Sequence, residues 1–376
     1  MERRRFLLTA AAAVTAPMLS RPAIARDSTG IVPFTPGKAQ RITNVVGQLR
    51  KIGKERRAVL TANPENKSAE ELTESLTEID EIEVVNTNAD AAPGDTLRLI
   101  TWNTERGRFW PDCARLIREH PALKNPDVVF LGEMDMGMAR SWNKHTTREM
   151  AAELQMNYAY AIEYLELSGG EEQERADYPG ENEWGYHGNA ILSKYPLHDV
   201  RALRFPGRQF WYEHYQKRLG GRCAVLACVD LGGTKVALVS VHLESHDRGR
   251  VRQQQMQLLL EELENTAADM PVLFGGDLNG RPNEPMFEDL KAAGFILDDC
   301  NDMNNPTTQK CVDGVISFHE ENKKIDYITV RGAKPVHDET SPITVPAVYP
   351  PVLKGQSIQG KYLGDHAVVT CKVRLG

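Results

Sequence analysis

RCAVLACVDLGGTKVALVSVHL, residues 222–243, holds two apolar runs on either side of Gly232-Gly233. Both runs are rich in Val, Leu and Ala, and a glycine pair accepts the positive φ angles that a two-residue hairpin turn demands. The stretch reads as two antiparallel strands, 222–231 and 234–243. Cys223 and Cys228 lie five apart on the first and so face opposite sides of the sheet. After the hairpin, Met256, Leu259, Leu260 and Leu263 recur at helical spacing and predict a core-facing stripe. Antiparallel strands mixed with packed helices argue for an α/β fold whose sheets are largely antiparallel.

Upstream, Leu97, Leu99 and Thr101 alternate with Arg98, Ile100 and Trp102, a strand with two differently packed faces. Asp112 is placed to cap a helix running to about His120, and Asp127–Leu131 reads as a buried strand. Thr146 with Glu149 has capping-box spacing before a helix that includes Met150 and Leu154. Downstream, Val272–Phe274, Tyr327–Val330 and Val368–Val373 supply further strands. These elements form one domain over 93–376. Residues 26–92 read as a helical extension before it: basic residues crowd 38–57, acidic ones crowd 70–83, and Ser68 with Glu71 caps a helix through about Leu76. Two surface helices pairing by charge are the expectation there.

The first 25 residues are a separate unit. Arg3-Arg4-Arg5-Phe6-Leu7 leads into an apolar stretch through Leu19 and then Ala23-Ile24-Ala25, the layout of a cleaved export signal. The apolar run is too short to span a bilayer. Its Arg-Arg-x-Phe-Leu order resembles a twin-arginine signal, which implies a periplasmic or secreted protein. Removing residues 1–25 takes away Glu2 and four arginines, a net of +3, so the rest of the 376-residue chain carries −10 in place of −7. Such a charge argues against a general polyanion-binding surface, while leaving room for a local basic groove. No later run reads as membrane-spanning, and no segment advertises a stable protein partner. In an exported chain Cys300 and Cys311, flanking a polar loop, are the best candidate disulfide, with Cys113 and Cys371 as buried thiols.

Chemistry gathers where apolar runs end. TWNTERG (101–107), FLGEMD (130–135), GNAILSKYPL (188–197), VSVHLES (239–245), GGDLN (275–279), KIDYI (324–328) and GDH (364–366) each place polar or acidic residues at such a point. Strand ends are where an α/β scaffold presents side chains to a common pocket. Asn103 with Glu105, and Asp277 with Asn279, are two apart and are expected to share a face. Carboxylate and amide oxygens suit Mg²⁺, with Mn²⁺ as the substitute. A lone acid or histidine at a strand end is more often structural; the ordered set is what points to metal-assisted hydrolysis of a phosphate ester.

In that order the motifs resemble the endonuclease/exonuclease/phosphatase superfamily, which includes deoxyribonuclease I-like nucleases, apurinic endonucleases, inositol-polyphosphate phosphatases and neutral sphingomyelinases. The resemblance covers roughly residues 96–376. It implies a four-layer α/β/β/α sandwich of two mainly antiparallel sheets flanked by helices. It implies metal-side roles for Asn103, Glu105, Glu133 and Asp365. By the same resemblance Asp277 orients the attacking water, Asn279 donates to the phosphate, Asp326 pairs with His366, and His242 contacts the phosphate or assists the leaving group. The presence of His242 disfavours a dedicated abasic-site enzyme. A phosphodiesterase or nuclease is the first reading. A phosphomonoesterase or phospholipid hydrolase is the alternative, and a non-catalytic module is the last.

Two loops bear on substrate choice. PGRQFWYEHYQKRLGGR (206–222) interleaves Arg208, Lys217, Arg218 and Arg222 with Phe210, Trp211, Tyr212 and Tyr215, a pattern that stacks bases, dips into lipid, or packs under a connection. The acidic stretch 168–188 reads as a mobile, solvated loop, with His187 and Asn189 near the pocket. Arg140, Asn143 and His145 read as pocket edge or as a plain capping loop, and the Pro-rich stretch 342–351 as rim.

Overall fold

A computed structural model describes residues 37–376 except 89–90, 207–211, 213–215, 247–248, 320–322 and 354–355. The leader expected at 1–25 and Arg208, Phe210, Trp211 and Tyr215 of the basic-aromatic loop lie outside the described residues. Among those described, no helix is long and apolar enough to cross a membrane.

The hairpin forms as read. Strands Cys223–Leu231 and Thr234–His242 pair from Ala224↔Val241 to Leu231↔Thr234, and Gly232 and Gly233 take φ of 61° and 90° in the turn. They sit at the centre of a six-stranded sheet ordered Gln40–Ile42, His198–Arg204, Cys223–Leu231, Thr234–His242, Val272–Asp277, Asp326–Arg331. A larger sheet runs through Ala333–Val336, Val368–Leu375, Leu97–Asn103, Val128–Met136, Tyr186–Ser193, Asn157–Glu166, Glu81–Val85 and Asn44–Val46. Most pairings are antiparallel; Leu97–Asn103 with Val128–Met136 and Thr234–His242 with Val272–Asp277 are among the parallel ones.

Alternation along the strands sorts the core into layers. Leu97 and Leu99 point with Phe130, Val225 and Leu238 into the space between the sheets, whereas Ile100 and Trp102 face outward beneath helix Trp110–Glu119. On the far side Met256, Leu259 and Leu263 of helix Arg250–Ala267 cover Val239, Val241 and Phe274. The molecule is thus a sandwich of two mainly antiparallel sheets flanked by helices.

Several local expectations are corrected. Asp112 lies inside the first turn of its helix, and Phe109 is the cap residue. At the next helix His145, not Thr146, caps by accepting from Arg148 N, while the Thr146 hydroxyl donates to Asp135 O. Ser68 does form its capping box with Glu71. Around it, residues 37–88 contribute strands to both sheets besides two helices. Those strands are three to five residues long, too short for a period-2 pattern to register. Cys300 is buried, Cys311 is exposed, and both are free thiols, so the expected disulfide between them is absent. Cys300 instead lies against Cys371 in the inter-sheet core.

Candidate active site

Register across the six-stranded sheet builds one half of the site. His242 is paired with Asp277 on the parallel neighbour, and Asp277 with Asp326 on the antiparallel one, which lines three side chains in a row. The close approach of the sheets depends on Gly275, and that of neighbouring strands within the sheet on Gly276. A Cβ at 275 would lie 2.4 Å from Phe130 Cδ2, and one at 276 would lie 2.0 Å from Val241 O. These glycines serve packing between and within sheets.

The larger sheet supplies the other half. Asn103 ends its strand, and its Nδ2 spans Asp277 Oδ2 at 3.1 Å and Glu133 Oε1 at 3.2 Å. Glu133 does not close a strand. It sits at an irregularity between Leu131 and Met134 with φ of 57°, and the strand continues to Met136. A bulge of this kind re-aims one side chain without ending the pairing. Glu105 and Asn279 likewise lie past their strands with φ of 46° and 50°, so the shared-face argument fails for both. They stay near their partners through backbone bonds, Glu105 N to Asn103 Oδ1 and Asn279 N to Asp277 Oδ1. One Asn279 Nδ2 hydrogen goes to Leu243 O, which leaves the second for another acceptor.

The two histidines differ in charge. Arg222 Nη1 lies 2.9 Å from His242 Nδ1. A guanidinium only donates, so Nδ1 accepts and the proton sits on Nε2, 3.5 Å from Asp277 Oδ2. Burial and the Arg222 charge push His242 well below its ordinary value, keeping it neutral. His366 is the opposite case. Its Nδ1 is 2.8 Å from Asp326 Oδ2 and its Nε2 is 3.8 Å from Asp277 Oδ2. Burial opposes its charge, but Asp326, Asp365 and Asp277 together raise it well above the usual range, so it is an imidazolium. Burial and then Asp326 push Asp277 up to about 7, with His366 pulling the other way.

Acids crowd beside Asn103. Burial, then Asp365, push Glu105 up to about 7, Glu133 adds to the rise, and Glu105 Oε2 is buried without a hydrogen-bond partner. Glu133 itself is held well below the carboxylate range: burial opposes its charge, and Arg106 and the histidines override it. Hard oxygens with an unpaired buried member and mutual repulsion are a donor set that fits a divalent cation. Asp277, Asp326 and His366 also bring ligand atoms within 4.8 Å of one another, although His366 Nδ1 is already committed to Asp326.

With this geometry in view, the comparisons are specific. Residues 100–366 match the model of the "Endonuclease/Exonuclease/phosphatase family". The chain belongs to the endonuclease/exonuclease/phosphatase family. Proteins of that family, as its name says, are endonucleases, exonucleases and phosphatases. Over 193 residues it is 28% identical to tyrosyl-DNA phosphodiesterase 2 of Gallus gallus, covering 50% of this chain and 42% of that one, so it spans less than half the length of this relative. An endonuclease/exonuclease/phosphatase from Beutenbergia cavernae superposes with a TM-score of 0.53 at 18% identity, covering 75% of this chain and 72% of that one. The human Nocturnin catalytic domain gives 0.50 at 14% identity, covering 78% and 98%. These two likenesses speak for the fold.

The remaining candidates are held in contacts of their own, with two of them close to the site: Asn189 Oδ1 faces Gly132 beside Asn103, and His187 helps to hold Glu133 down. His187 is buried against Asp135 at 2.8 Å, and Asn189 Nδ2 donates to Cys223 O. Arg140 is buried with Asp135, Glu166 and Glu174, Asn143 binds the Glu181 carbonyl, and His145 contacts Glu83. The acidic loop is docked: Glu172–Asp177 is a helix, Glu171 and Glu174 both hold Arg106, and Glu171 also accepts from Gln216. In the basic-aromatic loop Tyr212 is buried with its hydroxyl on Leu60 O, and Arg218 and Arg222 pair with Glu166 and Glu163. Arg106 was missed as a site residue. It stands inside TWNTERG with φ of 70°, and its Nη1 lies 2.7 Å from Glu133 Oε2. The quoted motif contained it, but nothing local indicates a guanidinium turned inward.

Proposed function

We propose that this protein is a Mg²⁺-dependent phosphodiesterase, of the nuclease type, acting by in-line attack of an activated water on phosphorus. The observation that carries this reading is Asp277, flanked by the neutral His242, whose Nε2 is 3.5 Å away, and by a cationic His366, whose Nε2 is 3.8 Å away, and tied by Asn103 to Glu133. Glu133, Asn103, Glu105 and Asp365 would hold the cation, with Mn²⁺ as a substitute. Bound there, it supplies Lewis-acid neutralisation of phosphate charge.

Asp277 accepts the proton of the attacking water, since burial and Asp326 raise it toward neutral pH and match it to that task. Nε2 of His242 and the spare Nδ2 hydrogen of Asn279 donate to phosphate oxygens. His366, oriented by Asp326, offers a positive Nε2–H to the developing charge. A diester is favoured by the match to a relative whose name is a DNA phosphodiesterase. Export through the Arg3-Arg4-Arg5-Phe6-Leu7 leader to the periplasm or beyond is part of the same proposal.

Nicking of supercoiled plasmid by the chain without residues 1–25 tests it, with EDTA and His366→Ala as controls and a tyrosyl-DNA oligonucleotide as a second diester. Mg²⁺-dependent cleavage of either, lost in the variant, supports the reading. Turnover only of an inositol phosphate or sphingomyelin would replace it with the monoester or phospholipid alternative. Fractionation of the full chain for a shortened periplasmic form tests the export.

A further inference from the structure

Far from this site, a second cluster of metal-ligating side chains is built by a bulge. On the strand pair His198–Arg204 and Cys223–Leu231, Leu226 is paired with Arg201 but Cys228 with His198, so the first strand carries one extra residue. Asp199 stands there with φ of 49°. Successive strand residues ordinarily point to opposite faces, and a bulge breaks that alternation. Here it brings His198 and Asp199 together beside Cys228. The three offer ligand atoms all within 4.8 Å of one another.

We propose that His198, Asp199 and Cys228 form a binding site for a borderline-soft divalent cation, zinc above all. Thiolate, imidazole and carboxylate together are a zinc donor set and a poor one for Mg²⁺. Bonds of about 2.0–2.2 Å at tetrahedral angles put N and O ligands about 3.4 Å apart, and His198 Nδ1 lies 3.3 Å from Asp199 Oδ2. The other ring nitrogen, Nε2, is shielded from water without an aligned hydrogen bond, although Asp230 Oδ2 is 3.1 Å away. A small ring rotation makes Asp230 the carboxylate that orients the ligating imidazole. Cys228 is buried, while His198 is about a third exposed and gives the ion its entry.

Two costs accompany binding. Lys235 Nζ sits 2.5 Å from Asp199 Oδ2 and is displaced to solvent. The Cys228 thiol gives its proton to water as the sulfur–metal bond forms. From Ala237, which pairs with Cys228, to His242 is five residues, roughly 17 Å along the strand. The site therefore clips two strands together and takes no part in hydrolysis.

Cobalt titration of the intact chain in saturating Mg²⁺ tests it, because the hydrolytic site contains no cysteine. One Co²⁺ per chain is expected to give a thiolate-to-metal charge-transfer band in the near ultraviolet that Zn²⁺ abolishes. Cys228→Ser removes the band, His198→Ala weakens the ion at least tenfold, Lys235→Ala strengthens it, and His366→Ala leaves it unchanged. Absence of the band from folded protein, or a band that survives Cys228→Ser, overturns the proposal. Should Cys228→Ser fail to fold, protection of Cys228 from alkylation by Zn²⁺ in the unaltered chain decides: protection supports the site and none refutes it.

Discussion

Protonation at the site is set by which side chain each histidine faces. His366 faces Asp326 and Asp277 and is charged, whereas His242 faces the Arg222 guanidinium and is neutral. His366→Ala is expected to lower kcat by about 10²–10⁴, the usual worth of a positioned acid or base, while circular dichroism shows a folded chain. Arg222→Leu makes a sharper test of the tautomer. Losing the cation removes one cause of the depression at His242, so its imidazole should titrate at a higher pH in an NMR experiment, and kcat should fall about tenfold. An unmoved titration would mean that burial alone keeps His242 neutral. Glu133→Gln should raise the Mg²⁺ needed for half-maximal rate by tenfold or more, since it removes the charge of the cation-side acid that Asn103 holds at 3.2 Å.

Strands and helices put these residues in place through register, and register was the part of the fold the sequence showed best. Alternation at 97–102, the glycine turn at 232–233 and the stripe at 256–263 all depend on neighbours within a few residues, so each could be read directly. The kink at Glu133 could not, because a bulge exists only relative to the partner strand Tyr186–Ser193. Inward-facing Arg106 and Arg222 were equally hidden, since their acids at 171, 174 and 163 lie 59 to 68 residues away in the chain. Gly276 shows how tightly the register is held. Gly276→Ala would drive a Cβ into the Val241 carbonyl, which cannot yield as a flexible side chain does. Overpacking of this kind costs about 1–3 kcal/mol, to be read from urea unfolding, and activity should fall with it because Asp277 is the next residue.

At the scale of the whole molecule, residues 37–88 are part of the sandwich. Gln40–Ile42 pairs with His198–Arg204 in one sheet, and Glu81–Val85 pairs with Asn157–Glu166 in the other. A chain begun at residue 93 would expose both edges and is expected to aggregate or to lose its cooperative unfolding. Glu83 is the fastening at the second edge. Fully buried, it accepts from Leu49 N at 3.0 Å, Tyr158 Oη at 2.6 Å and Arg148 Nη2 at 2.9 Å, with His145 Nε2 at 3.0 Å. Burial opposes its charge, yet His145, Tyr158 and Leu49 hold it down to about 2. A depressed carboxylate stabilises the fold fully above its unfolded value and loses that contribution as pH falls through its folded one. Stability should therefore decline between about pH 4.5 and pH 2, by on the order of 2 kcal/mol from this residue. Glu83→Gln should flatten that part of the profile and lower the unfolding free energy read from urea titration at neutral pH by a similar amount. An unchanged acid slope in the variant would mean that the edge is held by the strand pairing and its apolar contacts rather than by this charge.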